Sequence, residues 1–132
     1  MPRRYYEGTW QKKRAFSPAV ISQGGGTLVF VAGHTGQTTP EGKSNAGDFD
    51  AQVRQMFKNI DATLKEAGGS LKDIVTMTVF IIDARLSDRF TELRHEIFGG
   101  KEFPASALIT VAGFADQRMM VEVQSIAVIG DR

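Results

Sequence analysis

The stretch EFPASALITVAGFADQRMMVEVQSIAV, from Glu102 to Val128, decides the fold because it contains two apolar strands around a turn. The first strand, predicted from Ala105 to Val111, follows Pro104, which suits a strand start because its missing N–H matters least there. The second, predicted from Met119 to Ile129, is apolar except for a few polar residues, of which only Glu122 is charged. Burying an unpaired carboxylate is costly, so Glu122 marks a surface position, a structural pair or a functional site.

Two amphipathic helices precede these strands. Apolar residues recur every three or four positions from Phe49 to Ala67, which predicts a helix with Asp48 as its N-cap and Gly68-Gly69 as its stop. A second helix is predicted from Ser87 to Phe98, with Phe90, Leu93 and Ile97 on its apolar side.

The remaining strands complete an α+β fold. Short apolar and β-branched runs predict strands from Thr27 to Ala32 and from Ile74 to Ile82. A shorter piece, Ala19 to Ser22, is predicted to pair with the first of these. We therefore expect residues 1–132 to form a single domain in which two helices cover one face of a mixed sheet.

The last strand has no polar face that could meet solvent. Its two sides carry different apolar sets: Met119, Val121, Val123 and Ala127 on one, and Met120, Ile126 and Val128 on the other. Because one helical layer can cover only one of them, the bare face predicts a partner surface. We expect a closed homo-oligomer whose sheets face inward.

The composition excludes several classes of function. Sixteen basic and fifteen acidic residues give a formal net charge of +1, too balanced for a protein dedicated to nucleic acid or to membrane surfaces. The absence of cysteine excludes a disulfide framework, a thiolate nucleophile and a cysteine-ligated metal. The N-terminus does not resemble a signal peptide and no run approaches a membrane span, so we expect a cytoplasmic protein.

Residues 1–15 are predicted to form an arm in which basic and aromatic side chains are interleaved. Such a mixture can bind single-stranded nucleic acid through charge and stacking. The balanced net charge favours the alternative, a frayed arm whose aromatic residues pack on the domain.

Histidine offers little for metal binding. The two histidines, His34 and His95, lie on different predicted elements, whereas a zinc site needs three or four converging ligands. His34 follows a strand in AGHTG, at a strand end where binding groups gather, and is therefore a candidate ligand-binding residue. The alternative for His34 is a hydrogen-bonded structural role.

Four motifs together resemble a known family. They are Val31-Ala32-Gly33, Val79 to Asp83, Phe103-Pro104-Ala105-Ser106, and Val121 to Ala127. In order and spacing they are similar to the YjgF/RidA family, also called L-PSP or reactive-intermediate deaminases, over roughly residues 17–128.

This resemblance implies a chorismate-mutase-like fold and a homotrimer whose sheets line a central barrel, with small ligands bound in clefts between subunits. It also implies catalysis by Glu122, which in deaminating members positions the water that attacks an imine carbon. An imine is already electrophilic, so this chemistry needs orientation and proton transfer without a metal or organic cofactor.

The chain departs from the pattern of deaminating members at the substrate-binding positions. Ser106 stands where they carry an arginine that grips the substrate carboxylate, and a hydroxyl cannot make that bidentate contact. Ala19 matches their tyrosine and Thr91 their asparagine.

Other residues of the expected site are retained or can compensate. Glu122 and Gly33 are retained, and Arg94, one turn along from Thr91, can supply a cation from a new direction. The predicted site therefore comprises Glu122 and Ser106 as catalytic residues, with Gly33, His34, Thr91, Arg94 and Ala19 as ligand-binding residues. We expect Ser106 on the strand next to that of Glu122, with its hydroxyl as the hydrogen-bonding partner of the carboxylate.

Three functions remain open at this point. The first is a cofactor-independent hydrolase or deaminase acting on an imine, an enamine or a related small molecule, with a substrate altered by Ser106. The second is a non-catalytic ligand-binding or holdase-type trimer, and the third is RNA binding or endoribonuclease activity. The near-neutral charge argues against the third.

Overall fold

The computed structural model describes residues 3–131, which form an α+β domain. The strands and helices within that range are β1 Arg3–Tyr5, β2 Val20–Ser22, β3 Thr27–His34, α1 Phe49–Glu66, β4 Ile74–Ile81, α2 Ser87–Ile97, β5 Ala105–Thr110 and β6 Val121–Ile129.

The main sheet has four strands in the order β3-β6-β4-β5. Strand β6 is antiparallel to both of its neighbours, whereas β4 and β5 run parallel and are joined through α2. This mixed sheet confirms the predicted fold class. The two edge strands of the sheet are β3 and β5, so the two edges present different surfaces.

Local sequence fixes the boundaries of α1. The side chain of Asp48 accepts a hydrogen bond of 3.0 Å from the backbone N–H of Ala51, as its prediction as N-cap requires. At the other end Gly68 adopts φ +88°, a conformation that glycine accepts without steric cost. The predicted stop is thus confirmed.

Both helices lie on the same face of the sheet and form the core with it. The buried apolar side chains come from alternate positions of the strands and from one stripe of each helix: Val53, Met56, Phe57, Ile60, Leu64, Met77, Val79, Ile81, Phe90, Leu93, Val121, Val123 and Ala127. Val121 and Val123 therefore point at the helices and not at a partner subunit.

The opposite face, here called the open face, is not covered by either helix. It carries Leu28, Phe30, Thr76, Thr78, Phe80, Ala107, Ile109, Glu122, Gln124 and Ile126, which lie in register across the four strands. Phe30 is 75% exposed and Leu28 is 59% exposed. Apolar side chains this exposed on a flat sheet are typical of a surface that binds another protein chain.

The N-terminal segment differs from its prediction. Strand β2 pairs with β1 and not with β3, and Arg3 anchors β1 on the domain. The guanidinium of Arg3 donates through Nε and Nη2 to both carboxylate oxygens of Asp131, each at 2.9 Å, and Ser22 Oγ donates to the same carboxylate at 2.7 Å. A buried ion pair between Arg3 and Asp131 therefore ties the arm to the domain.

Among residues 3–131, no helix is both long enough and apolar enough to cross a membrane.

The open face predicts the first test. Replacing Phe30 by Asp should weaken self-association by at least tenfold, because burying a Phe side chain contributes roughly 1.5–3 kcal/mol. Its exposure in the protomer means that the fold itself should survive. Sedimentation velocity across a concentration series measures the effect, and Ala62→Asp on the exposed surface of α1 is the matched control. A wild-type protein that stays monomeric at micromolar concentration would contradict the prediction.

The Arg3–Asp131 pair predicts a dependence of stability on pH. Burial raises the pKa of Asp131, but hydrogen bonds from Arg3 and Ser22 outweigh it and the net pKa lies below the ordinary value. A carboxylate with a lowered pKa stabilises the fold above its unfolded pKa of about 3.9, and this contribution is lost as the pH falls below that value.

Asp131→Asn should therefore destabilise the protein at neutral pH by about 3 kcal/mol and flatten the loss of stability in acid. Urea unfolding between neutral and acidic pH measures both effects. Glu7→Gln, which removes an exposed pair with Lys12, is the control and should change little. Equal acid sensitivity of wild type and Asp131→Asn would show that other carboxyl groups dominate.

Candidate functional site

A bulge in the pairing of β3 and β6 shapes one half of the candidate site. Val31 pairs with Ser125 and His34 pairs with Val123, so Ala32 and Gly33 together stand opposite one residue of β6. An extra residue reverses the alternation of side chains beyond it. This reversal places His34 on the helical side of the sheet and leaves Gly33 beside the open face.

Glu122 lies directly against this bulge. A Cβ atom built on Gly33 would lie far inside van der Waals contact of Glu122 Oε2, with the Cδ atom of that carboxylate at 3.0 Å. The carboxylate therefore occupies the space that any other side chain at position 33 would fill. Gly33 and Glu122, both retained from the expected motif, form one structural unit in which the glycine makes room for the acid.

His34 is engaged on both sides of its ring. Its Nδ1 lies 2.8 Å from the carbonyl oxygen of Ala32, and its Nε2 lies 2.8 Å from Thr63 Oγ1 on α1. Because a carbonyl can only accept, Nδ1 carries the proton and Nε2 accepts from the hydroxyl. This geometry favours the structural interpretation of His34, which links the bulge to α1.

Glu122 and Ser106 do not meet within one protomer. Ser106 pairs with Met77, whose side chain faces the helices, whereas Glu122 pairs with Phe80 on the open face. Strand β4 also lies between their two strands. The expectation that Ser106 stands on the strand next to Glu122, as its hydrogen-bonding partner, is wrong for the single chain, because the parallel β4–β5 crossover inserts β4 between them.

Ser106 instead contacts Arg94 of α2. Arg94 Nη1 donates to Ser106 Oγ at 2.7 Å and approaches Met77 Sδ at 3.6 Å, while Nη2 donates to the carbonyl oxygen of Arg14 at 3.2 Å. The guanidinium carbon lies 4.9 Å from the ring centre of Phe90. The sequence hypothesis that a cation reaches position 106 from α2 thus corresponds to a direct contact.

Arg94 is buried without an acidic partner. Arg94 is 2% exposed, and no carboxylate of residues 3–131 forms a salt bridge with its guanidinium. Its Nε–H has no hydrogen-bond acceptor. Burial, and to a smaller extent the charge of Arg14, lowers the pKa of Arg94 to about 9. A cation in this position is electrostatically unsatisfied.

Arg94 lines a cleft between α2, β5 and the N-terminal segment, here called the α2–β5 cleft. The cleft has a volume of about 240 Å³ and is lined by Trp10, Arg14, Phe16, Ser87, Thr91, Arg94, Ser106 and Leu108. The predicted residues Thr91, Arg94 and Ser106 thus come together in one place.

The N-terminal segment supplies a wall of this cleft that the sequence reasoning missed. Trp10 and Phe16 make an edge-to-face contact with ring centres 5.6 Å apart, on either side of a short 3-10 helix from Gln11 to Arg14. The interleaved basic and aromatic residues of the arm are the sequence signal that could have indicated this wall. Their spacing, however, does not reveal which element of the domain they contact.

Ala19, the remaining predicted site residue, does not line the α2–β5 cleft. It precedes β2, and its carbonyl oxygen accepts a hydrogen bond of 3.0 Å from the N–H of Tyr6. In the part of the chain that the structure describes, no group of three or more His, Cys, Asp and Glu side chains is arranged to bind a metal ion.

Comparison with known proteins places these features in a family. The family model described as Endoribonuclease L-PSP matches residues 10–129. A RutC family protein from Pyrococcus abyssi is 32% identical over 102 residues, which cover 77% of this chain and 79% of that protein.

Solved structures show the same fold. A Rid family protein from Yersinia pestis superposes with a TM-score of 0.85 over 98% of this chain and 100% of that chain, at 21% identity. A member of the YjgF family from Mycobacterium tuberculosis superposes with a TM-score of 0.68 over 96% of this chain and 99% of that chain, at 26% identity. The match over nearly the whole sequence, together with the shared fold, shows that the chain belongs to the Endoribonuclease L-PSP family, which is also named YjgF/RidA.

Proposed function

We propose that the protein is a homotrimeric small-molecule hydrolase that deaminates an imine or enamine in clefts formed between its subunits. The observation that carries this proposal is the division of the site. A carboxylate without a hydrogen-bonding partner among residues 3–131 lies near one edge of the sheet, and a cation without a counter-ion lies near the other. The half of the site near one edge has the carboxylate but no cation, and the half near the other edge has the cation but no carboxylate.

A cyclic assembly can join these halves. In a closed ring of three, every contact is heterologous and brings two different surfaces of the protomer together. The β3 edge carries the Gly33–Glu122 unit beside it and the β5 edge carries Ser106, so contact between unlike edges brings Glu122 of one subunit toward the α2–β5 cleft of the next. The same arrangement buries the open face.

The reaction follows from the groups available. Water attacks the imine carbon, its oxygen forms a bond to that carbon, and the C=N bond becomes a single bond as the nitrogen gains a proton. The resulting carbinolamine loses ammonia to give a carbonyl product. Glu122 relays both protons that the nitrogen gains: the first passes from the attacking water to the imine nitrogen, and the second passes from the carbinolamine hydroxyl to the amine nitrogen, which leaves as ammonia while the C=O bond forms. The reaction needs neither an oxidant nor a reductant.

The cleft residues have binding and orienting roles in this scheme. Thr91 and Ser106 offer hydroxyl groups, and Arg94 supplies a positive charge beside Ser106. Holding the imine carbon next to a placed water contributes to the rate by orientation alone.

Glu122→Gln is the direct test of this function. It keeps the shape of the side chain and removes the acid, so hydrolysis should fall by about a hundredfold to ten-thousandfold while the oligomer stays folded. The measurement is the rate of loss of 2-imino acids, generated in situ by an amino-acid oxidase and trapped with semicarbazide. Unchanged turnover with reduced thermal stability would make Glu122 structural. Binding without turnover in the wild type would favour the ligand-binding alternative.

Gly33→Ala tests whether Glu122 acts from its observed position. The added Cβ would overlap the carboxylate and displace it, and a shift of about 1 Å at a reacting group can cost on the order of a hundredfold in rate. The expected effect falls on kcat more than on KM. The control is Gly113→Ala, because nothing lies within 4 Å of a Cβ at that position. Equal activity of Gly33→Ala and Gly113→Ala would contradict this placement of Glu122.

A further inference from the structure

We infer that a row of polar side chains on α1 fixes the bulge of β3 and thereby sets the position of the Glu122 carboxylate. The row, here called the α1 polar row, consists of Gln55, Asn59 and Thr63, which are four residues apart and so share one face of the helix. Its members are positioning residues, because they act on Glu122 through the bulge. For the reaction rate the inference rests on the proposed function, in which Glu122 transfers protons.

The first support is the set of hydrogen bonds from this row to the chain that leaves the bulge. Thr63 Oγ1 donates to His34 Nε2 at 2.8 Å. Asn59 Nδ2 donates to the carbonyl oxygen of Thr35, also at 2.8 Å. Gln55 Nε2 donates to Asn59 Oδ1 at 2.8 Å, so the amide of Asn59 is held with its NH2 group toward Thr35. Two consecutive residues at the end of the bulge are thus bonded to α1.

The second support is the close packing of the next residue, Gly36, against α1. A Cβ atom on Gly36 would lie 2.6 Å from the backbone nitrogen of Met56, closer than real side chains approach. The carbonyl oxygen of Gly36 accepts a hydrogen bond from Asn45 Nδ2 at 2.9 Å. Residues 34–36 therefore run along α1 in direct contact, and the α1 polar row bonds to a segment that is also held at its far end.

The third support is that Glu122 has no hydrogen bond of its own to fix it. Among residues 3–131, no donor bonds to its carboxylate, which instead packs on the backbone of Gly33. His34 Nδ1 donates to the carbonyl oxygen of Ala32 at 2.8 Å, so the imidazole closes a short ring around Gly33. Since His34 is tied to Thr63, α1 determines where Gly33 lies. The place of Gly33 in turn determines where the carboxylate lies.

The exposure of the bond between His34 and Thr63 separates positioning from stability. Thr63 is exposed on α1, and so water can satisfy either partner if the bond is lost. A hydrogen bond that water replaces contributes little to the free energy of folding, but water does not hold the ring in one place. The bond should therefore matter more for the position of Glu122 than for the stability of the fold.

The experiment follows the Glu122 carboxylate directly, on the assembled protein. Glutamate labelled with ¹³C at the side-chain carboxyl gives an NMR resonance for Glu122, assigned by its absence in Glu122→Gln. Thr63→Val keeps the shape of the side chain and removes the hydroxyl, so this resonance should shift. Thr63→Ser restores a hydroxyl and should return the resonance to its wild-type position. Ala62→Val adds the same β-branched residue at the exposed neighbouring position, so it is the control and should cause no shift.

Two further variants test the other contacts of the bulge. Asn59→Ala removes the donor to Thr35 and should also shift the resonance, while the high helix propensity of alanine preserves α1. His34→Asn keeps a donor for the carbonyl oxygen of Ala32 but is too short to reach Thr63. It should behave like Thr63→Val, and the double variant should shift the resonance no further than either single one, because both remove the same bond.

Steady-state kinetics connect this position to the reaction. Thr63→Val should lower kcat by roughly threefold to tenfold, the factor that an ordinary hydrogen bond represents, and should leave KM nearly unchanged. Thr63→Ser should recover most of the loss. A structural role alone would instead lower the thermal stability and leave kcat per folded site unchanged.

An unmoved Glu122 resonance in both Thr63→Val and Asn59→Ala would overturn the inference, whatever happens to activity. So would an equal shift in Ala62→Val, which would indicate a general disturbance of α1. A moved resonance with unchanged kcat, where Glu122→Gln is inactive, would overturn the link to the reaction. Glu122→Gln judges the proposed function separately: a resonance that moves as expected while Glu122→Gln keeps full turnover would support the α1 polar row as a positioning device and defeat the proposed function.

Discussion

The structure depends on one constraint, which is that a four-stranded sheet with two apolar faces has a single helical layer. The helices satisfy one face with the buried stripes of α1 and α2, and the other face exposes Phe30 and Leu28. The proposed trimer covers that second face with another chain, in a closed ring with unlike edges in contact. Under this proposal, assembly and site formation are the same event, because the buried face would include the position of Glu122 and the edges that meet would carry the two halves of the site.

A single inserted residue determines what the β3 edge presents. Without the bulge, His34 would share the open face and Gly33 would point toward α1. With it, the imidazole bonds to Thr63 and the glycine backbone makes space for the Glu122 carboxylate. The bulge thus converts an ordinary strand end into a position where a carboxylate lies close to the main chain. This is a more specific reason for a glycine at position 33 than conformational freedom, because its φ is not in the left-handed region.

Elements with a strong local pattern could be predicted from the sequence, whereas contacts that depend on topology could not. The period of α1, its Asp48 cap and the apolar strands are local properties, and the structure reproduces them to within a few residues. The pairing of β2 with β1 depends on Arg3 reaching Asp131 across the whole chain, which no local pattern contains. Likewise, Ser106 and Glu122 were expected on neighbouring strands because β5 and β6 are consecutive in the sequence. The insertion of β4 between them follows from a crossover connection, which no local pattern reveals. The contact between Arg94 and Ser106 was accessible as a hypothesis because helical spacing places Arg94 near Thr91.

The two ends of the chain act together on the ligand cleft. Trp10 and Phe16 form its apolar wall, but the 3-10 helix between them has no buried residues of its own to fix its place. Its position is set on one side by the Arg3–Asp131 ion pair, which anchors β1, and on the other by the carbonyl of Arg14, which accepts from Arg94. The guanidinium therefore helps to hold the wall that encloses it, and that enclosure removes it from water. Because this buried cation lies on α2 and bonds to the N-terminal segment, the shape of the α2–β5 cleft depends on Arg94 itself.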